Sequence, residues 1–223
     1  FWYQERLFKD YNIIKSIGKY FRAYYYFKRY RDSNLYFLNA SSYGEKDLLR
    51  IDRSYGKHSF RFGYLPVFCS QQNRHNNREN VFTLVFVGRL LPWKHPEFML
   101  TCAEAMEKRR IPFKIIIIGD GEMKRKLQKY ISAHQFKYGN IFLLGAVSAS
   151  KISEYYIQSD VMVFPSDRRE GWGAVLNEGM ANGCICLANR EAGATNFLIQ
   201  DGINGFSYGN LNEAISKLAK IYF

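Results

Sequence analysis

The stretch VMVFPSDRREGWGAVLNEGMANGCICLA, residues 161–188, is the clearest indication of how this chain folds. It opens on the apolar run VMVF and closes on the apolar run CICLA, and each run has the length and composition of a buried strand. The loop between them leads at about Gly173 into a segment whose pattern predicts a helix. A strand, a helix and a second strand joined in this order form one unit of an α/β fold.

This unit repeats along residues 81–223. Apolar runs at 81–88, 113–119 and 140–145 predict further strands, each bounded by glycine. More helices are predicted at 148–158, after Ala194 and from Leu211. We therefore expect a doubly wound, Rossmann-like α/β domain over residues 81–223. Two further amphipathic helices are indicated by the stripes Phe98, Cys102, Ala105 and Met106, and Met123, Leu127, Tyr130 and Ile131.

The first 80 residues follow another pattern. Residues 1–32 predict one or two basic, aromatic-rich helices, 35–41 and 60–68 predict strands, and a helix is expected around 45–52. The polar stretch 70–80 has no period and predicts a linker. We therefore expect a partial α/β domain at 1–69, a linker at 70–80 and the second domain from 81 onward. The chain opens on FWYQERLFKD, without the features of a signal peptide, so we expect it to begin inside a longer protein.

Positive charge is concentrated in the first third of the chain. Residues 1–80 carry 15 Lys and Arg against 7 Asp and Glu, whereas residues 81–223 carry 17 against 13. This asymmetry predicts a surface that faces phospholipid or nucleic acid. No apolar run approaches the roughly 18–20 residues of a spanning helix. The four cysteines lack the spacing of a metal site or a disulfide framework, so a reducing, cytoplasmic setting is expected.

Two cations follow the first strand of the second domain. Gly88 and Arg89 come directly after that strand, and Lys94 lies five residues beyond Arg89. Loops at the carboxyl ends of parallel strands are where ligands bind. Arginine grips phosphate oxygens with its fork and lysine adds a point charge, so the two can hold one anionic group. Two solvated surface cations would explain this spacing equally well. The later stretch Gly119-Asp120-Gly121-Glu122 also follows a predicted strand, but a tight turn explains it as well as a ligand site does.

The junction around Glu170 carries more chemistry. The free N–H groups of residues 173–175 would point out of the helix start and form an anion site. Glu170 precedes the helix, and Glu178 lies roughly 7 Å along it, with its side chain leaning back toward the start. One acid then flanks each side of a bound diphosphate, and both accept hydrogen bonds from the hydroxyls of a nucleotide-sugar. A helix-terminal acid and an exposed Glu explain either acid alone, but not both together with the glycines and Trp172.

These residues are similar to those of a known family. FPSDRREGWGAVLNEGMANG resembles the E-x7-E signature of family 4 glycosyltransferases of the GT-B fold, with Glu170 and Glu178 as the two acids. The resemblance implies a retaining transferase that moves a sugar from a nucleotide donor to an acceptor. It also implies that 81–223 is the C-terminal donor-binding domain and 1–69 the tail of the N-terminal acceptor-side domain. Four other stretches match the family in order and spacing over about 81–208: FVGRLLPWKHPE, IIIGDGEMKRKLQ, IFLLGAVSASKISEYYIQSD and AGATNFLIQDGINGF.

The resemblance implies a role for each site residue. Arg89 and Lys94 would hold the diphosphate and stabilise the leaving group, Glu170 would contact the donor sugar and Glu178 the ribose. Arg89, Lys94 and Glu170 are thus the expected catalytic residues. No D-x-D pair is present, so neither a metal nor a cofactor is expected. The donor-binding set, with the backbone near 145–147 meeting the base, is Gly88, Arg89, Lys94, Gly145, Val147, Glu170, Gly171, Trp172, Gly173, Ala174, Val175 and Glu178.

The chain departs from the family pattern in a few places. Trp172 replaces the commoner Phe and Gly179 the commoner Ala, and neither change removes a functional group. The family's glycine-rich loop and its acceptor-side histidine have no counterpart. We interpret the histidines, which fit no motif, as structural or solvent-facing: His58, His75, His95 and His134.

Donor and acceptor stay open at this level. A UDP-sugar is the favoured donor, a GDP-sugar the second, and a glycan or lipid-linked glycan the acceptor. The alternatives are a fragment that binds nucleotide-sugar without catalysis and a nucleotide-sugar epimerase of the same architecture. No nucleic-acid partner is expected, because the aromatics of residues 20–30 match no RNA-binding signature.

The basic first third predicts a further partner. Lys15, Lys19 and Arg22 share one helical face, and aromatic rings lie among them. We expect this face to meet an anionic membrane surface, which puts the enzyme in the cytoplasm at the inner face of the membrane. A helix packed on its own domain, with a solvated basic edge, is the alternative.

Overall fold

The computed structural model describes residues 2–4, 7, 13–31, 34–64 and 81–223. Its first part is a parallel sheet of strands β1 (Trp2–Gln4), β2 (Phe37–Asn39) and β3 (Ser59–Arg61), in that order. Helix α1 (Ile13–Lys28) lies between β1 and β2 in the chain, and helix α2 (Gly44–Ile51) and a 3₁₀ turn (Arg53–His58) lie between β2 and β3. The predicted linker 70–80 and the second half of the predicted strand 60–68 lie outside the described residues.

One prediction for this part is wrong. The pattern of residues 1–32 predicts helix, whereas the structure has a strand at Trp2–Gln4. This strand pairs in parallel with β2 over all three residues. Aromatic residues suit strands as well as helices, so pairing with a distant strand, which a local pattern cannot reveal, decides the conformation.

Helix α1 buries one side only. Phe27, which is 3% exposed, packs against Phe37 and Tyr55 in the small core of the first part. Away from that core Ile14, Phe21 and Tyr25 are 81%, 64% and 69% exposed. No helix within the described ranges combines the length and the apolar character needed to span a membrane.

The second part is one parallel sheet with helices on both faces, which confirms the predicted doubly wound, Rossmann-like α/β domain. Its strand order is β6-β5-β4-β7-β8-β9. The strands are β4 (Phe82–Val87), β5 (Phe113–Ile118), β6 (Gly139–Gly145), β7 (Val161–Phe164), β8 (Ile185–Asn189) and β9 (Gly205–Tyr208). The helices are α3 (Phe98–Lys108), α4 (Lys124–Ala133), α5 (Ala149–Ile157), α6 (Ala174–Ala181), α7 (Thr195–Leu198) and α8 (Leu211–Tyr222), and a 3₁₀ turn covers Pro92–Lys94.

Burial on both faces explains the continuous apolar runs of the central strands. In β4, Leu84 and Phe86 face the layer of α3, α4 and α8, whereas Val85 and Val87 face the layer of α5, α6 and α7. Side chains alternate between the faces of a strand, so a strand covered on both sides needs apolar residues at every position.

The strand order reverses between β4 and β7. From β4 the chain moves outward to β5 and β6, then returns to the other side of β4 and continues outward through β7, β8 and β9. In an open parallel sheet this reversal separates the loops on either side and leaves a crevice at the carboxyl ends of the strands. The candidate site lies there.

The first part meets this same edge of the sheet. The Tyr43 hydroxyl donates to the carbonyl of Arg190 over 2.8 Å, and the Ser42 N–H donates to the carbonyl of Gly193 over 2.9 Å. The Asn196 amide donates to the Ser42 hydroxyl over 3.2 Å. The contacts join the turn after β2 to the loop after β8, so the two parts face each other across the carboxyl edge.

Candidate active site

Backbone hydrogen bonds draw the strand-end loops together. The Gly88 N–H donates to the carbonyl of Ile118 over 3.0 Å, and the Gly119 N–H donates to that of Gly145 over 2.8 Å. The Asp167 N–H, from the loop after β7, donates to the carbonyl of Trp93 over 2.9 Å. The ends of β4, β5, β6 and β7 therefore form one continuous rim.

The Gly119-Asp120-Gly121 turn serves packing. A Cβ at Gly119 would overlap the carbonyl oxygen of Gly88, and one at Gly121 would lie 2.6 Å from the carbonyl oxygen of Leu90. Both positions therefore need glycine so that the loop after β5 can lie against the loop after β4. This favours the tight-turn interpretation of the stretch.

The structure brings together two of the predicted catalytic residues, Lys94 and Glu170. The Lys94 ammonium donates a hydrogen bond to the Glu170 carboxylate, although the residues lie 76 positions apart. Their side chains are only 13% and 15% exposed, so water screens the pair weakly. The Lys94 side chain runs back beside Gly88, while the neighbouring Arg89 is exposed on the rim.

Helix α6 begins at this rim. Gly173 caps it with φ 86°, a left-handed conformation that favours glycine, and a Cβ there would overlap the ring of Phe164. The Leu176 N–H already donates to the carbonyl of Gly173 over 2.9 Å. The amides before it, including those of Ala174 and Val175, lie at the positive end of the helix, where an anion is favoured.

Trp172 supports this loop from behind. Its ring is 3% exposed, packs near Tyr64 and Phe197, and donates its indole N–H to the Asn177 Oδ1 over 2.7 Å. The preceding Gly171 is buried as well. Its carbonyl oxygen lies so close to Gly193 that a Cβ at Gly193 would overlap it. The predicted donor-binding residue Trp172 therefore directs its side chain into the core.

Glu178 lies about one turn past the start of α6 and is partly exposed. The hydroxyl of the buried Tyr156 lies 3.4 Å from its carboxylate and 3.4 Å from the carbonyl of Val175. Burial raises the pKa of Tyr156 well above its ordinary value, and the charge of Glu178 adds to the effect. Tyr156 therefore stays protonated and donates toward Glu178.

The predicted base-binding backbone lies at the far end of the rim. Gly145 is buried with φ 75°, and the side chain of Val147 packs against the α5–α6 layer. Lys124 reaches toward Gly145 and pairs with Asp120. This end of the crevice is therefore lined by backbone around Gly145 and by the ion pair of Lys124 with Asp120.

Three functional candidates are missing from the sequence-based set: His95, Asp167 and Arg169. Arg169 pairs with Asp167 over 2.7 Å, and His95 lies 3.4 Å from the same carboxylate. An Asp whose side chain accepts from the backbone two residues on, as Asp167 does from Arg169 at 2.8 Å, is a recognisable turn signal. The sequence pattern does not predict the contact between Asp167 and His95. The ring of His95 is 41% exposed and contacts the carboxylates of Glu97 and Asp167, which agrees with the interpretation of that histidine as structural or solvent-facing.

These side chains shift one another's titration. The hydrogen bond to Glu97 raises the pKa of His95, against the opposing effect of burial, and the nearby Asp167 adds to the rise. Burial opposes ionisation of Asp167, but the hydrogen bonds and charge of Arg169 outweigh it and hold the pKa of Asp167 below its usual range. Within the ranges that the structure describes, no cluster of three or more His, Cys, Asp or Glu could hold a metal ion.

The sequence matches the family model described as "Glycosyl transferases group 1" over residues 69–220. Among curated proteins it is 24% identical over 155 residues to the lipopolysaccharide 1,2-N-acetylglucosaminetransferase of Salmonella typhimurium. That alignment covers 62% of this chain and 40% of the relative, so the chain spans less than half the length of that protein.

Solved structures share the fold. The apo form of the lipopolysaccharide outer core galactosyltransferase WaaB superposes with a TM-score of 0.72 at 19% identity, over 84% of this chain and 52% of that one. The Anabaena protein Alr3699/HepE, solved with UDP and glucose, superposes with a TM-score of 0.69 at 16% identity, over 99% of this chain and 60% of that one. These likenesses agree with the GT-B architecture.

Proposed function

Because the chain belongs to the glycosyl transferases group 1 family, we propose that it transfers a sugar from a nucleotide-sugar to a glycan or lipid-linked acceptor, with retention at the anomeric carbon. A UDP-sugar is the donor we favour, with a GDP-sugar second. The UDP and glucose held by the similar fold of HepE support this choice. The observation that carries the proposal is the weakly exposed pairing of Lys94 with Glu170 beside the open start of α6.

In this reaction the bond from sugar C1 to the diphosphate oxygen breaks, and C1 bonds to an acceptor hydroxyl oxygen, whose proton goes to the leaving diphosphate. Negative charge grows on the leaving oxygen, where Arg89 and Lys94 can stabilise it together with the first amides of α6. Glu170 accepts hydrogen bonds from the donor sugar and Glu178 from the ribose. We propose metal-independent transfer, because two cations of the chain itself balance the departing charge.

Calorimetric binding of nucleotides tests the proposal. UDP should bind more tightly than uridine, and Arg89→Ala should weaken UDP binding by about 1.5–3 kcal/mol, the value of a charge-assisted hydrogen bond. Uridine should lose far less, because it carries no phosphate. Lys108→Ala, at an exposed position at the end of α3, is the matched control. Equal losses for UDP and uridine would mean that Arg89 serves the fold, and binding without sugar transfer would favour a binding role.

We also propose that α1 brings the enzyme to an anionic membrane surface. Ile14, Phe21 and Tyr25 recur at helical spacing and are largely exposed, with the exposed Arg22 beside them. Exposed apolar side chains such as Ile14, and aromatic rings such as those of Phe21 and Tyr25, insert at the headgroup level. Each nearby Lys or Arg contributes about 1 kcal/mol with anionic lipid.

Vesicle sedimentation with the full-length enzyme checks this proposal. Binding should require anionic lipid, fall with salt, and drop when Lys15, Lys19 and Arg22 become Glu. Lys57→Glu, at an exposed position in the turn after α2, should leave binding unchanged. Indifference to lipid charge would instead indicate that α1 packs on another part of the protein.

A further inference from the structure

Two separate loops carry the charged pair of the candidate site. Lys94 lies after β4 and Glu170 after β7. Asp167 belongs to the same loop as Glu170 and makes backbone hydrogen bonds both within that loop and to the loop after β4. Its N–H donates to the carbonyl of Trp93 over 2.9 Å, and its carbonyl accepts from the N–H of Glu170 over 3.0 Å. The Asp167 side chain, which is 7% exposed, lies between the loops.

The Asp167 carboxylate extends this link. It accepts from the N–H of Arg169 over 2.8 Å and from its guanidinium over 2.7 Å, and the guanidinium lies over the ring of Trp93 at 5.6 Å. The same carboxylate lies 3.4 Å from Nε2 of His95, directly after Lys94. Asp167 therefore joins the two loops through its backbone, through its own side chain and through Arg169.

His95 lies between two carboxylates. Its Nδ1 is 3.2 Å from Glu97, and its Nε2 faces Asp167. Each carboxylate accepts hydrogen bonds only, so both contacts form together only when both ring nitrogens carry a proton and the ring is charged. The raised pKa of His95 agrees with this state. The other charged groups acting here are Arg169 on Asp167 and, from α4, Lys126 on Glu97.

We propose that Asp167 is a positioning residue that, through the charged form of His95, holds the Lys94 loop and the Glu170 loop in register. This inference rests on the proposed function of the same site. The link fixes the position of Lys94, which we propose binds the diphosphate, relative to Glu170, which we propose binds the donor sugar. The folded-state pKa of His95 is raised, so the link is complete below that pKa and weakens as the pH rises through it.

The first experiment measures the link without any ligand. NMR titration of the histidine rings should show His95, assigned by its loss in His95→Gln, titrating above its usual value of about 6.5. Asp167→Asn removes one carboxylate charge and should lower the pKa of His95. Asp201→Asn, before β9 at the opposite edge of the sheet, where Asp201 pairs with Lys217, should leave it unchanged. An unchanged His95 pKa in Asp167→Asn would overturn the inference.

The second experiment measures UDP affinity by calorimetry between pH 6.5 and 9. Wild type and Asp201→Asn should bind UDP roughly tenfold more weakly at a pH above the pKa of His95 than at a pH below it. Asp167→Asn should be weak throughout and insensitive to pH in this range. The UDP phosphate titrates near pH ~6 and affects all variants alike. Wild-type affinity retained by Asp167→Asn would overturn the positioning role. A chain that binds no nucleotide would refute the proposed function instead, while the NMR titration still decides whether the link exists.

Discussion

In the free protein, Glu170 neutralises Lys94, the cation that we expect to bind a diphosphate. Lys94 is held by a carboxylate at a site that is largely closed to water, so neither charge is left buried and unpaired, which would be costly. An arriving diphosphate can take over Lys94 and release Glu170 toward the sugar. The two acids of the E-x7-E pattern therefore play different parts before any donor binds.

This difference predicts opposite responses in the two acids. Glu178→Gln should weaken UDP binding, because we propose that its carboxylate accepts from the ribose that UDP contains. Glu170→Gln should leave UDP affinity unchanged or increased, because Lys94 no longer has to exchange partners, yet it should impair binding or turnover of the intact UDP-sugar. Calorimetry with UDP and a donor hydrolysis assay separate the two. The reverse pattern, or a change in melting temperature alone, would contradict the assignment.

The sequence predicts Lys94 and Glu170 as members of the candidate site because each follows a predicted strand. It does not predict their pairing, since the contact depends on which strands are neighbours: β7 lies beside β4 although two strands intervene in the chain. His95 and Asp167 were missed for the same reason. The sequence predicts Trp172 as a donor-binding residue because it lies within the motif. The burial of its ring cannot be predicted in the same way, because the ring packs near Tyr64 and Phe197, which are distant in sequence.

At the scale of elements, the loop before α6 depends on the ring of Trp172. Trp172→Ala should destabilise the protein by about 3–5 kcal/mol, as expected for loss of a buried aromatic ring. Trp172→Phe keeps most of the apolar contact and loses one hydrogen bond to Asn177, so it should cost only about 1 kcal/mol. Urea denaturation of the matched pair measures both. Similar losses for the two variants would show that the hydrogen bond, and not the ring, supports the loop.

Ion pairs connect helix α8 to the loops after β8 and before β9. Lys217 pairs with Asp201 and Glu213, and Arg190 also pairs with Glu213. The hydrogen bond from Lys217 is the main cause that lowers the pKa of Glu213 from 4.5 to about 2. A lowered carboxyl pKa stabilises the fold above its unfolded-state value, and this contribution is lost as the pH falls toward the folded-state value.

Glu213→Gln should therefore lose stability less steeply than wild type between about pH 4.5 and 2. Urea denaturation at pH 5 and pH 3 gives the two slopes. Glu122→Gln, at an exposed position after β5, should behave like wild type. Identical slopes for all three proteins would mean that the ion pairs around α8 do not contribute to acid stability.

At the scale of the whole molecule, the two parts were predictable to different degrees. Continuous apolar runs and glycine-bounded loops suffice for the six-stranded sheet, because its central strands are covered on both faces. The first part has three-residue strands, and β1 is defined by pairing rather than by its own pattern. The first part contacts the loop after β8 through individual hydrogen bonds, such as that from the Tyr43 hydroxyl to the carbonyl of Arg190. The periodicity of the sequence does not predict contacts of this kind.

The position of β4 has a consequence for synthesis on the ribosome. This strand lies in the middle of the sheet. It pairs Leu84 with Val161 and Val85 with Met162, so it must pair with a segment that the ribosome synthesises much later. At about 5–20 residues per second, several seconds pass before β7 emerges. Throughout that interval the nascent chain presents an apolar strand with one bare edge, which is the kind of surface that aggregates. A polypeptide that ends near residue 160 keeps this edge permanently, so we expect it to aggregate more readily than the complete domain.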